Sequence, residues 1–227
     1  AVKTFDLPRN TVYDAAFARG MNGGMVDYER AVSKKKRQLF GRLLKGLPGS
    51  PTVVEVGMGT FPNALYLKDL PAGTDLVGVD PNDSMEGFAR ENAGKVGLLS
   101  NGRSLRITHG VAEALPLETG VADAVVCTLT LCSVLDPAKA VSEIRRIMKP
   151  GAQFVYLEHV LSELDEDLAE EQKRNTPFQV MRADGCHLDR RTGETIKAAG
   201  FSKVDADYFE LQNFGYLNPT ACGIATA

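Results

Sequence analysis

The chain has 227 residues, a formal net charge of −3, 44% hydrophobic residues and 24% charged residues. That length suits one α/β domain with small additions and buries a core without disulfide or metal staples. The slightly acidic balance excludes a reader of phosphate backbones, so no nucleic-acid partner is expected, and no run of about 18 apolar residues is present to span a membrane.

The four cysteines, Cys127, Cys132, Cys186 and Cys222, form no CxxC pair. They read as buried thiols with no metal, in a soluble protein of a reducing compartment such as the cytoplasm or a plastid. The opening Ala1-Val2-Lys3 lacks an initiator methionine, as expected after trimming or removal of a targeting or anchor segment.

In chain order, residues 9–47 read as helical, broken in two at Gly20, Asn22, Gly23 and Gly24. Leu39, Phe40, Leu43, Leu44 and Leu47 form an apolar stripe, and the basic run 34–37 reads as a solvated face. This preamble, 1–48, is taken as an extension or lid, and 49–227 as the main domain. Residues 52–57 read as a buried first strand, 62–68 as a short helix and 75–79 as strand two. Asp83 and Glu86 resemble a capping box. Strands three and four follow at 105–108 and 123–128. Asp136-Pro137 starts a helix with Val141, Ile144, Ile147 and Met148 as its buried stripe, and Lys149-Pro150-Gly151 ends it. Strand five is 153–159. An acidic stretch, 162–174, carries Leu161, Leu164 and Leu168 on one side. A last helix at 192–199 precedes strands at 201–209 and 221–226. Strands joined by helical crossovers give a parallel sheet with helices on both faces, closed by an antiparallel hairpin. Its ligand site lies beyond the strand C-termini.

Glu55-Val-Gly57-Met-Gly59 after strand one lets a ligand approach the backbone. A dinucleotide fingerprint needs glycine at position 62, which is proline. A phosphate-free nucleoside such as S-adenosylmethionine still fits. Asp80, after strand two, is placed to accept ribose hydroxyls.

These motifs occur with Gly110-Val-Ala112-Glu113-Ala-Leu-Pro-Leu117, Ala122-Asp-Ala-Val-Val126 and a helix ending Lys149-Pro150-Gly151. In that order they resemble a class I methyltransferase of Rossmann-like fold, near the quinone-biosynthesis branch. The resemblance is closer to the thiol-methyltransferase-like proteins of animals and plants. It rests on 35–40, Asp80-Pro81-Asn82, Cys127-Thr-Leu-Thr-Leu-Cys132, Glu158-His159-Val160 and Asp184-Gly185-Cys186.

The resemblance implies a seven-stranded, mostly parallel sheet and S-adenosylmethionine as cofactor. Glu55 would anchor the methionine ammonium, and Gly57 and Gly59 would seat the tail. Asp80 and Pro81 would hold the ribose side, with Asn82, Ala112 and Glu113 at the adenine. Cys127 and Thr128 would sit near the methyl group. His159, Glu158 and, third, His187 are candidates for handling the acceptor proton. The chain departs from the resemblance at Phe61, which stands where the usual third glycine would be, and at Val111, where an acid or amide is usual. The partner expected is a small-molecule methyl acceptor, entering between the N-terminal helices and 161–187. The acidic run there either favours a cationic acceptor or is a solvated face. Methylation of a thiol, methylation of oxygen or carbon in a quinone-like or phenolic acceptor, and cofactor binding without catalysis all remain open. So does the oligomeric state.

Overall fold

A computed structural model of the chain describes residues 2–227, with side chains from Thr4 onward; Ala1 of the expected extension lies outside the described residues. Three helices, α1 (Val2–Phe5), α2 (Thr11–Gly24) and α3 (Val26–Lys45), precede the first strand. β1 (Thr52–Val56), α4 (Ala64–Leu67), β2 (Asp75–Asp80), α5 (Glu86–Lys95), β3 (Ser104–His109) and β4 (Ala122–Thr128) follow. The chain continues through α6 (Pro137–Ile147), β5 (Met148–His159), α7 (Glu166–Arg182), α8 (Thr192–Ala198), β6 (Lys203–Phe209) and β7 (Thr220–Thr226).

The seven strands form one sheet in the order β3-β2-β1-β4-β5-β7-β6. β1 to β5 are parallel to their neighbours, while β7 runs antiparallel to both β5 and β6. Strand alternation divides the core in two. Val53, Leu76, Val126 and Leu157 face α3, α4 and α5, whereas Val54, Val77, Val125 and Phe154 face α6 and α8. Burial on both faces explains why these strands read as continuous apolar runs. The strand order reverses between β1 and β4, which puts the crevice for a ligand at their C-terminal ends.

Several expected boundaries shift. The glycines do not break the preamble: α2 runs through Gly20, Gly23 and Gly24, and the interruption is Met25 alone, at φ −90° and ψ 0°. Asn10 offsets part of the glycine cost by accepting from the Val12 and Tyr13 amides. The basic run is not a uniformly solvated face: Lys36 is buried and pairs with Glu29 at 2.6 Å, while Lys35 pairs with Asp207. Asn82, not Asp83, caps the turn before α5. β5 begins at Met148, so Lys149-Pro150-Gly151 lies within the strand. Leu164 is fully exposed, which removes it from the proposed stripe, and α7 extends to Arg182. Among the described residues, no helix is long and apolar enough to cross a membrane.

Candidate functional site

A cavity of about 670 Å³ opens at the C-terminal ends of β1, β2, β4 and β5. Such a volume lies within the range of small-molecule sites. α2, the start of α3 and the segment around 183–186 form its outer wall.

The loop after β1 forms the floor. Gly57 has φ +66° and Gly59 φ +54°, in the left-handed region. A Cβ on Gly57 would stand 2.1 Å from Thr130 Oγ1, while Gly59 has open space where a side chain would be. Phe61 keeps a left-handed φ of +61° although it is not glycine. Its ring is wholly buried in the core beneath the loop. The substitution therefore preserves the backbone turn, with ring burial offsetting the strain.

Asp80 ends β2 and lines the cavity beside Pro81. Its Oδ2 accepts from the Gly59 amide and its Oδ1 from the Asn82 amide, both at 2.8 Å. Burial pushes its carboxyl up to about 6, against the pull of those two amides. Asn82 is spent elsewhere: its Oδ1 accepts from Ser84 N, and its Nδ2 donates to the Asp14 carbonyl. It lies outside this cavity, in a small adjoining one that shares Gly59, Asp80 and Met85 with it.

Ala112 and Val111 line the cavity beyond β3. Glu113 reaches its edge, but the carboxylate accepts from the Leu135 and Asp136 amides and so fixes the loop before α6. Glu55 lies behind the floor rather than on it. It is 1% exposed, its Oε1 accepts from Asn63 Nδ2, and its Oε2 has no partner. Burial raises its carboxyl to about 8. Asn63 also donates to Thr128 Oγ1, and Thr128 lines the cavity. Cys127, its neighbour, points to the opposite face of the sheet and is removed from the site.

The same alternation separates the catalytic candidates. His159 lines the cavity, packed edge-on against Tyr28 at 5.7 Å between ring centroids. Glu158 faces the other way. It accepts from the Thr130, Leu131 and Cys132 amides at 3.0–3.2 Å and so shapes the loop after β4. Burial raises its carboxyl to about 7, but it does not reach the cavity. His187 sits outside the cavity, 3.6 Å from Asp189. Both corrections leave His159 as the candidate in place. Two cavity residues that the chemistry of single motifs missed stand beside it, Cys132 and Cys186.

The outer wall is held by charge. Arg9 donates to Asp14 and to Asp184, all at 2.9–3.0 Å, joining segments 175 positions apart. Tyr13 Oη accepts from the Asp184 amide at 3.3 Å. The acidic run has no part in the wall: Glu163, Asp165, Glu166 and Asp167 are exposed, and α7 reaches the cavity at Gln179. Their exposure fits the solvated-face reading of the run.

The family description "Methyltransferase domain" matches residues 54–156. The thiol S-methyltransferase TMT1B of Rattus norvegicus is 33% identical over 79% of this chain and 72% of its own length. The chain belongs to the class I S-adenosylmethionine-dependent methyltransferases. A demethylmenaquinone methyltransferase of Thermus thermophilus is 33% identical to this methyltransferase over 47% of the chain and 46% of its own length. The structure of a geranyl diphosphate methyltransferase bound to its diphosphate and sinefungin superposes with a TM-score of 0.65, at 15% identity, over 89% of this chain and 80% of that one. That likeness shows the shared fold alone.

The cofactor of the family is S-adenosylmethionine, and the residues present fit it. Gly59 leaves room for a tail against the backbone. Asp80 presents a carboxylate at the cavity, and an unpartnered buried oxygen of Glu55 lies behind Thr128 and Asn63.

Proposed function

We propose that this methyltransferase places a methyl group on the sulfur of a small, largely apolar thiol. The observation that carries the reading is the composition of the cavity beyond the cofactor motifs. His159 packs edge-on against Tyr28, which packs edge-on against Phe214, and Leu129, Leu217, Cys132 and Cys186 line the same cavity, whose charged members include Arg9, Asp14, Asp184 and Glu29. A thiol has a pKa of about 8.5, so it needs little help to ionise, and an apolar chamber suits a soft nucleophile. The thiol S-methyltransferase relative supports the same acceptor class.

S-adenosylmethionine supplies a methyl group already activated on a sulfonium. The chain's own residues therefore bind, orient and exclude water. Asp80 holds the ribose hydroxyls, with Pro81 against the sugar. Gly57 and Gly59 bring backbone close to the methionine tail, and Glu55 meets its ammonium through Asn63 and Thr128. The Ala112 backbone reads the adenine edge. His159 stands at the acceptor end with its Nδ1 turned to the Cys186 sulfur, and the Arg9 clamp closes the outer wall. Of the extension 1–48, α1 and α2 act as the lid of the domain spanning 49–227, while α3 packs into its core.

A panel of alkyl and aryl thiols, phenols and quinols, read by S-adenosylhomocysteine release, tests the reading. Turnover confined to thiols supports it. Turnover confined to phenols or quinols replaces it, and tight cofactor binding with no turnover on any acceptor makes the chain a binding module.

A further inference from the structure

Cys132, His159 and Cys186 come from three places in the chain: the loop after β4, the end of β5 and the loop after α7. One ligand atom from each lies within 4.8 Å of the others, and His159 Nδ1 is 3.9 Å from Cys186 Sγ. All three residues are buried, and all three line the cavity. Zinc held at about 2.3 Å by thiolates and about 2.0–2.1 Å by a histidine nitrogen brings tetrahedral donors to roughly 3.6–3.8 Å from one another. Small rotamer adjustments cover the difference.

The backbone holds the donors together. The Cys132 amide donates to Glu158 Oε2 at 3.2 Å, and its carbonyl accepts from the His187 amide at 2.8 Å. Gly185, at φ +85°, lets the segment carrying Cys186 press onto the β4 loop: a Cβ there would stand 2.9 Å from the Ser133 carbonyl oxygen. His159 Nε2 is buried without a partner. With the ring proton on that nitrogen, the lone pair of Nδ1 faces the sulfur of Cys186.

We infer that Cys132, Cys186 and His159 form a zinc site whose fourth position opens into the cavity and takes the sulfur of the acceptor. Two cysteines and one histidine with an open position are a donor set of catalytic zinc, and thiolates select a borderline-soft ion over magnesium or calcium. The inference rests on the reading that the acceptor is a thiol. A thiol that ligates the ion gives its proton to solvent. Its sulfur lone pair then forms the new bond to the methyl carbon, and the electron pair of the broken methyl–sulfonium bond stays on the donor sulfur. The neutral thioether is a poorer ligand than the thiolate and leaves.

The test uses the full chain, titrated with zinc and separately with cobalt(II) under reducing conditions. About one equivalent should bind, with thiolate-to-cobalt charge-transfer absorption. Cys132→Ser, Cys186→Ser and His159→Asn should each weaken binding by about tenfold or more. Cys222→Ser, on β7 outside the cluster, should not. Retained affinity for S-adenosylhomocysteine shows that each variant is folded. A thiol acceptor should then shift the cobalt spectrum, and a phenol should not. Metal binding that is absent, or indifferent to the three substitutions, overturns the site. A Cys132–Cys186 disulfide that forms in place of metal binding overturns it too. Metal bound at the cluster with a spectrum unmoved by thiols overturns the acceptor's place on it. Failure of thiol turnover in the acceptor panel, with metal still bound by the three residues, counts against the function and leaves the metal site standing.

Discussion

Replacing Asp80 separates ligand binding from loop structure. Each carboxylate oxygen already accepts one backbone amide at 2.8 Å, from Gly59 and Asn82. One lone pair on each oxygen remains for a ribose hydroxyl. Hydrogen bonds to a charged group are worth about 1.5–3 kcal/mol each, so two of them predict a loss of roughly hundredfold or more in cofactor affinity. Asp80→Ala should also cost stability, because alanine leaves two amide donors without their acceptor, at about 1–3 kcal/mol each where they stay buried. Asp80→Asn keeps one acceptor oxygen and should cost less stability while still weakening binding. The carboxyl titrates near 6, above its ordinary value of 3.8, because it is buried. A raised folded-state value means that the ligand-free fold loses stability as pH rises from about 4 to 6. Binding through the ionised form runs the other way. Affinity should be level above pH 6 and fall below it, approaching tenfold per unit. Calorimetric titration of S-adenosylhomocysteine between pH 5 and pH 8, with thermal melts alongside, measures both. An Asp80→Asn protein with wild-type affinity and the same pH profile would refute the reasoning.

Glu55, pushed up to about 8 by burial, should release close to one proton at pH 7 when a cofactor ammonium arrives. Buffer-dependent calorimetric enthalpies measure that release, and Glu55→Gln should abolish it; no buffer dependence in the wild type would remove Glu55 from the amine. Phe61→Gly should relieve about 1 kcal/mol of left-handed strain but forfeit the buried ring, for a net loss of about 2–4 kcal/mol. Denaturant unfolding reads this, and unchanged stability would show that the ring does not hold the loop. Arg9→Ala should free Asp14 and Asp184 and speed cofactor release several-fold in stopped-flow displacement, with the effect mimicked by high salt. An unchanged rate would mean that the clamp is not a lid.

The parallel core and the loops that build the cavity were legible because they rest on local signals. Buried strands bounded by glycine, Asp136-Pro137 at a helix start and an acid after strand two each carry their physical reason in a few residues. What was not legible depended on which face a strand shows. Cys127 and Thr128 are adjacent, as are Glu158 and His159, and period-two alternation turns one of each pair away from the cavity. That alternation was in the sequence, but its phase is set by the helices on either side. Asn82 and Glu113 looked like ligand contacts because they sit in cofactor motifs, yet their side chains are spent on backbone amides. The meeting of Cys132 with Cys186 lies beyond any local spacing, since the approach depends on Gly185 against Ser133.

The sheet order has a consequence for how the chain is made. β7 follows β6 in sequence but lies between β5 and β6. During synthesis β6 emerges with no strand to join, and β5 shows an unpaired edge beside β4 until Thr220–Thr226 leaves the ribosome. The growing polypeptide thus carries two hydrogen-bonding edges that a neighbouring nascent copy could capture. A ribosome-stalled intermediate ending before Thr220 should therefore need chaperone cover that the chain with β7 in place does not.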